Sequence, residues 1–309
     1  MMNVIYEGVD ITNSIEVGKA DIIDNAGGIA DSIDLRFADT EGLWSKWKPL
    51  KGHKINVLEG GFSSGIMFTD YISQSRGSIR LKGLSIPLRA KTKKTKAWES
   101  IRLLGMAKEI AGRYGFVLET YGGVKDYLYE RIDQINQADF EFLSYRCMLE
   151  GYVLKIWDGK VIIYDERTYE SKEPVKEIIL ERLDGDYEFK TVSAGLFSSC
   201  SITSVTISGT ITKEFKPPTS PAGPMMKQKM YVTNLAEAER YCRGLLRYTN
   251  KNENTGRIKL ELDPELAAGS CVDISGIGLA DGKYFIDRAV HSLKEKKTLL
   301  SLRKPLEGY

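Results

Sequence analysis

The sequence predicts an α+β, β-rich chain in which two small β-barrel-like domains bracket an α+β middle region. Residues 257–262, Arg-Ile-Lys-Leu-Glu-Leu, alternate polar and apolar side chains, a period that only a half-buried strand satisfies. Short apolar runs separated by glycine and serine fill residues 3–90, the spacing of a barrel or sandwich. Between these stretches the apolar period lengthens to that of helices. The boundaries read as 1–92 for the first β domain and 93–215 for the middle. A proline-rich linker takes 216–230, and 231–309 holds a helix and the second β domain.

In the first domain, Val4, Ile5 and Tyr6 precede Gly8, and Ile33, Leu35 and Phe37 alternate with Asp34 and Arg36. Residues 55–58 run into Gly60-Gly61, a hairpin signal, and Met67, Tyr71, Ile79 and Leu81 continue the short runs. Trp44 and Trp47 fall between strands and read as the cover of a barrel end, or else as a sugar- or partner-binding patch. From Thr95, a plausible cap, Ala97, Ile101, Leu104, Ala107 and Ala111 form a helical stripe that Gly115 ends. Strands follow at 116–121 and 127–132. A second helix then starts near Asn136-Gln137-Ala138-Asp139, carries Phe140, Leu143 and Cys147, and stops at Gly151. Residues 152–157 and 160–164 flank Asp158-Gly159, a dipeptide that tolerates positive φ, and form the clearest hairpin. Farther on, 187–192 and 204–211 read as strands, and 175–183 as helix or strand. Residues 216–224 hold four of the nine prolines, so this stretch should be extended and outside any sheet. Asn234 caps the last helix, with Glu237 placed to bond back to the cap; Leu235, Ala238, Cys242, Leu245 and Thr249 recur along it. This helix is expected to lie across the second β domain. After 257–262 come short strands at Val272 and Ile274, at 283–286 and at 298–303.

Composition excludes several classes. A chain of 309 residues with 42% hydrophobic content can bury a sizeable core in two or three domains. The start, Met-Met-Asn-Val-Ile-Tyr-Glu, lacks the basic and apolar regions of a signal peptide, and no apolar run is long enough to span a membrane. No membrane anchoring is expected. Cys147, Cys200, Cys242 and Cys271 form no CxxC, as expected of reduced, buried thiols in a cytosol-made protein.

Three ordered sets of residues resemble one family. The first is Ala30-Asp31-Ser32-Ile33-Asp34-Leu35-Arg36-Phe37-Ala38-Asp39, followed by Leu43-Trp44-Ser45-Lys46-Trp47. The second is Gln137-Ala138-Asp139-Phe140-Glu141-Phe142-Leu143 before Glu150-Gly151-Tyr152. The third is the Gly269-Ser270 turn, Ser275-Gly276-Ile277-Gly278, Asp281-Gly282-Lys283-Tyr284-Phe285-Ile286 and Val290-His291-Ser292. Together they resemble phage late control protein D, the baseplate hub protein of contractile tails, which is similar to the N-terminal part of VgrG. Gly269, Gly276, Gly278, Asp281, Gly282 and Tyr284 are then family-like structural turn residues. The resemblance implies a non-enzymatic virion component of a phage, tailocin or related contractile injection system, made in the bacterial cytoplasm and assembled into the tail baseplate. It implies a homotrimer in which each chain gives two similar barrels, so that six barrels match the sixfold tail tube on one side and the threefold central spike on the other. Partners would be the chain itself, the tail tube protein, the central spike protein, other baseplate proteins and a tape-measure protein in the lumen.

Catalytic chemistry finds little footing. His53 and His291 are the two histidines, and no HExxH, GxSxG or P-loop occurs. His291 reads as a hydrogen-bonded residue at a barrel edge. No catalytic, cofactor-binding or metal-ligating residue is assigned, and no cofactor is expected. The alternative function is a baseplate-associated cell-wall (peptidoglycan) hydrolase, which needs two carboxylates about 5–10 Å apart, a demand that 42 acids leave open. Charge distribution says more. Arg76, Arg80, Lys82, Arg89, Lys91, Lys93, Lys94 and Lys96 form a strip without an acid; it carries +8 against a chain total of +2, leaving −6 elsewhere. Residues 165–188 hold nine acids and four bases. The two stretches read as solvated faces, or as a basic contact strip that meets an acidic surface on a neighbouring subunit or ring. Nucleic-acid binding lacks support, since Trp98 beyond the strip's end is its nearest aromatic.

Overall fold

The computed structural model describes residues 2–206 and 209–309. The alternating apolar residues of the first domain place Met2–Tyr6, Lys54–Glu59, Met67–Ser75, Ser78–Leu84, Ser32–Ala38 and Glu16–Asn25 side by side, in that order, as an antiparallel sheet. Val4, Ile22, Ile33, Leu35, Phe37, Val57 and Leu81 fill its concave side. Trp44, on the short helix Leu43–Trp47, closes this core. Its ring stacks on Phe37 at 4.7 Å, meets Tyr6 edge-on at 5.6 Å and is 1% exposed.

The middle region corrects one expectation. Lys93–Arg102 is a strand, and the helix begins only at Leu103 and runs to Tyr114. Ala97 and Ile101 fit a helical stripe, but Leu128–Ala138 pairs with Lys93–Arg102 along its length and decides the conformation. Gly115 ends the helix in a left-handed conformation, φ +74, as expected. Asp139–Leu149 is the second helix, and Tyr152–Trp157 with Lys160–Asp165 form the hairpin around Asp158 and Gly159, at φ +48 and +71. Val117–Tyr121 adds to that hairpin in parallel.

Residues of the middle stretch also complete the second β unit. Lys176–Ile179 pairs in parallel with Cys271–Ser275, and Glu188–Thr191 pairs with Asn254–Glu261. With Gly282–Ser292 and Lys297–Arg303 these make six strands around Ile178, Ile258, Leu260, Val272, Ile274, Ile286, Leu300 and Leu302. Arg257, Lys259 and Glu261 are exposed while Ile258 and Leu260 are buried, so the alternation is obeyed. The reading of 204–211 as one strand is replaced by two, Ser199–Thr206 and Gly209–Phe215, with residues 207 and 208 of that reading outside the described residues. Apolar alternation is the same on both strands, so it does not show that they pair antiparallel, with Thr206 opposite Gly209. Within the expected linker, 216–224 has no strand or helix, but Met225–Lys229 pairs in parallel with Ser199–Thr206.

The helix Leu235–Asn250 packs on this three-stranded sheet and on Asp139–Leu149, not across the second β unit. Its buried face, Ala238, Tyr241, Cys242 and Leu246, finds Leu149, Cys200, Ile202 and Met226. Gly244 permits the approach, because a Cβ there would stand 2.3 Å from the Met148 carbonyl oxygen. Asn234 caps the helix by accepting from the Glu237 N–H at 2.9 Å. Glu237 bonds one residue beyond the expected cap, to the Thr233 N–H at 2.7 Å.

One seam joins the two β units. Arg288, Ala289, Val290, His291 and Ser292 pair antiparallel with residues 25 to 21 of Glu16–Asn25, while the opposite edge of their strand holds Lys297–Arg303. His291 is therefore inside the seam rather than at a barrel edge. It is 0% exposed, its Nδ1 is 3.0 Å from the Thr298 hydroxyl, and burial lowers its pKa.

Candidate interaction surfaces and buried charge clusters

The basic strip divides between two parts of the fold. Arg76 sits in the turn between Met67–Ser75 and Ser78–Leu84, and Arg80 and Lys82 follow on the second of these strands. Lys93, Lys94 and Lys96 lie on Lys93–Arg102, with Arg89 and Lys91 in the connection before it. Half of the charge is matched inside the chain. Arg80 grips Asp34 with two bonds at 2.7 and 2.5 Å and, with Lys19, holds that carboxyl at about 2. Lys91 pairs with Asp70 at 2.6 Å, Lys94 with Asp139 at 2.7 Å, and Lys96 with Glu109 at 2.5 Å. Lys82 lies over the Tyr71 ring and Arg89 over Tyr114. Arg76, Lys82, Arg89 and Lys93 are the exposed members that make no ion pair among the described residues. The strip was legible as charge, but its internal partners come from distant elements and were not.

The turn residues act as backbone punctuation. Gly269, Gly276, Gly278 and Gly282 all have positive φ, between 82° and 118°. The Asp281 carboxylate accepts from the N–H groups of Ile277 and Gly278 at 2.8 and 3.0 Å, which pins the loop. Tyr284 is 3% exposed, packed 5.2 Å from the Phe189 ring. Leu279 projects from the loop tip fully exposed.

The acidic stretch 165–188 is not simply a solvated face. Glu166 and Glu170 are buried and paired with two buried arginines from far along the chain. Arg303 reaches Glu166 at 2.9 Å, Glu170 at 2.5 Å and Asp287 at 3.0 Å, and Arg247 reaches Glu170 at 2.6 Å. Burial alone would raise Glu166, yet Arg303, Lys251 and Arg247 bring it to about 2. The cluster ties the second β unit, the helix Leu235–Asn250 and the middle region at one point.

A second cluster lies where the two β units and the middle hairpin meet. Lys155 bonds Asp24 at 2.5 Å, Asp31 at 3.1 Å and the Asn25 carbonyl at 2.6 Å. Asp24 also accepts from the Ala268 N–H at 2.8 Å, and Asp31 from the Asn25 N–H at 2.8 Å. Burial pushes Asp31 up to about 7, farther than Lys155 offsets. These acids border a cavity of about 350 Å³ with Phe62, Met67 and Trp157. A raised acid in a cavity is where hydrolytic chemistry would be sought, but both carboxylates here hold backbone N–H groups and one lysine between three parts of the fold. Asp31 is 2% exposed, so the arrangement braces the junction. Among the described residues no group of His, Cys, Asp and Glu is placed to hold a metal, and no helix is long and apolar enough to cross a membrane.

No family model matches the sequence, and no curated protein matches it. Solved structures match along its whole length. A 43 kDa tail protein of prophage MuSo2 from Shewanella oneidensis superposes with a TM-score of 0.74 at 14% identity, covering 98% of each chain. A tail protein from Neisseria meningitidis gives 0.74 at 16%, covering 98% of this chain and 95% of that one. An E. coli component of the type VI secretion system, itself structurally similar to the T4 tail proteins gp27 and gp5, gives 0.61 at 10%, covering 99% and 78%. Two β units fused along one seam around an α+β centre therefore make, from end to end, the fold of phage tail and type VI secretion tail-like proteins.

Proposed function

We propose that this chain is the structural hub of a contractile-tail baseplate, a homotrimer that joins the sixfold tail tube to the threefold central spike. The observation that carries the reading is the likeness to two prophage tail proteins across nearly the full length of both chains. Geometry adds support: each chain holds two β units fixed side by side by the pairing of residues 21–25 with 288–292. Three copies can then present six sheet-built lobes in a ring, and a closed ring satisfies every heterologous contact. The partners in this reading are the tail tube protein, the spike, neighbouring baseplate proteins and a tape-measure protein in the lumen. Synthesis is cytoplasmic and the protein ends in a phage, tailocin or related particle. Arg76, Lys82, Arg89 and Lys93 are the members of the basic strip left to meet acidic surfaces of the ring, where charge sets register and association rate more than affinity. The role is non-enzymatic: adapt symmetry, template the tube and line a channel.

Co-expression with tube and spike proteins, followed by native mass spectrometry and negative-stain imaging, tests it. The expected result is three copies at the tube's end, under the spike. A chain that stays monomeric in the presence of both partners and decorates neither would sink the proposal. A zymogram on purified cell wall tests the rival: clearing that Asp31→Asn abolishes in a folded variant would replace the hub with a hydrolase.

A further inference from the structure

Cys200 and Cys242 are buried thiols on the two sides of one helix–sheet contact. Cys200 lies on Ser199–Thr206, whose inward residues Cys200, Ile202 and Ser204 alternate with more exposed ones. Cys242 lies on the buried face of Leu235–Asn250 with Ala238, Tyr241 and Leu246. Both are 0% exposed and share one core. A weak bond from Cys242 Sγ to the Lys213 carbonyl, at 3.5 Å, fixes the sulfur over the sheet. Lys213 is the register partner of Ile202, the next inward residue after Cys200. Each thiol shifts the other's affinity for its proton, Cys200 upward and Cys242 downward. Cys147 is buried in the middle core and Cys271 lies against the Tyr169 and Glu170 carbonyls at 3.6 Å, and all four cysteines are free.

We propose that Cys200 and Cys242 are an oxidation site, a latent disulfide that hydrogen peroxide closes to staple the helix Leu235–Asn250 to the three-stranded sheet. Cys242 reacts first, because its neighbour Cys200 lowers its pKa while that of Cys200 is raised. Its thiolate attacks one peroxide oxygen and the O–O bond breaks. The departing hydroxide takes up the thiol's proton as water, leaving a sulfenic acid on Cys242. The Cys200 sulfur then loses its proton and attacks the sulfenic sulfur. The S–O bond breaks, and the second hydroxide leaves as water. Two thiols and one peroxide give one disulfide and two waters: the sulfurs lose two electrons in total and the peroxide gains them. Peroxide is close to water in size. It enters when the sheet's edge strands, Gly209–Phe215 and Met225–Lys229, open locally. The bond closes a loop of roughly forty residues that includes the proline stretch 216–224, so it restricts the unfolded chain. The inference stands apart from the tail reading.

To test it, the folded full chain is treated with hydrogen peroxide, denatured in an alkylating reagent and mapped by peptide mass, beside a dithiothreitol-treated control. The expected map shows a cross-linked Cys200–Cys242 peptide lacking two hydrogens, with Cys147 and Cys271 alkylated. The thermal midpoint should rise by about 5–10 °C, as a disulfide closing a loop of this size does. Four alkylated cysteines after peroxide treatment would overturn the proposal, as would a cross-link between other pairs. In Cys200→Ser, Cys242 should instead be trapped by a sulfenic-acid probe, with no rise in midpoint; a rise equal to wild type would also overturn it. The wild-type map decides the matter even where the serine variant fails to fold.

Discussion

Asp31 is held by Lys155 and by the Asn25 N–H, yet burial dominates and its carboxyl titrates near 7. An acid whose folded pKa is raised binds its proton more tightly in the native state. Stability is therefore lost as pH climbs from the ordinary carboxylate range to about 7, and the loss is constant above that. Asp31→Asn removes this titration while keeping a partner for the Asn25 N–H. The gap between wild type and Asp31→Asn, measured by urea unfolding at pH 4, 5.5, 7 and 8, should move against wild type up to pH 7, by a few kcal/mol in all, and then level off. His291, whose pKa burial lowers, is common to both proteins and cancels in the difference. A gap that stays flat with pH would show that Asp31 is ionised throughout. None of this was readable beforehand. Asp31 was one of many acids in the sequence, and neither its burial nor Lys155, far along the chain on Tyr152–Trp157, carries a local signal. Trp44 shows the opposite case: of its two readings, core cover or binding patch, its 1% exposure bears out the first.

At the scale of elements, local chemistry was legible wherever it decided the structure. Asp158-Gly159 turned the hairpin, Gly115 ended a helix and Asn234 began one, because each acts through its own backbone. Lys93–Arg102 was misread because its conformation is set by Leu128–Ala138, a partner that no short window contains. Glycines make the same distinction measurable. Gly244 sits where Leu235–Asn250 crosses Asp139–Leu149, and a Cβ would meet backbone oxygens at 2.3 and 2.5 Å. Since backbone cannot swing aside as a side chain does, Gly244→Ala should force the helices apart and cost about 1–3 kcal/mol. Gly112 lies in the helix Leu103–Tyr114 with nothing within 4 Å of a Cβ. There alanine restricts the unfolded chain and should stabilise by about 0.5–1 kcal/mol. Opposite shifts in the urea midpoint check the pair, and shifts of the same sign would refute the close helix crossing.

For the whole molecule, the sequence suggested two β units bracketing an α+β middle region and a proline-rich linker, whereas the fold joins the two units in one sheet. The seam of Arg288–Ser292 against residues 21–25 is invisible to periodicity, because each strand reads the same whether its edge faces solvent or another strand. The same holds for Lys176–Ile179 and Glu188–Thr191, which the middle stretch lends to the second unit. Arg303 and Glu166 tie the middle region to the second unit, a buried pair in which truncating either partner leaves an uncompensated buried charge. If the seam couples the units, hydrogen exchange in rising urea should give peptides from Ser32–Ala38 and from Lys297–Arg303 a common midpoint. Val290→Pro probes the coupling directly. Val290 is registered between Ile23 and Leu299, and proline there removes an N–H and adds a ring that the ladder cannot hold. A carbonyl left without its donor costs roughly 1–3 kcal/mol before the ring's clash is counted. That cost should lower the midpoint of both sets of peptides together. An N-terminal set that keeps its wild-type midpoint while the C-terminal set falls would mean two independent units joined only by chain. The side-by-side rigidity on which a six-lobed ring depends would then be lost.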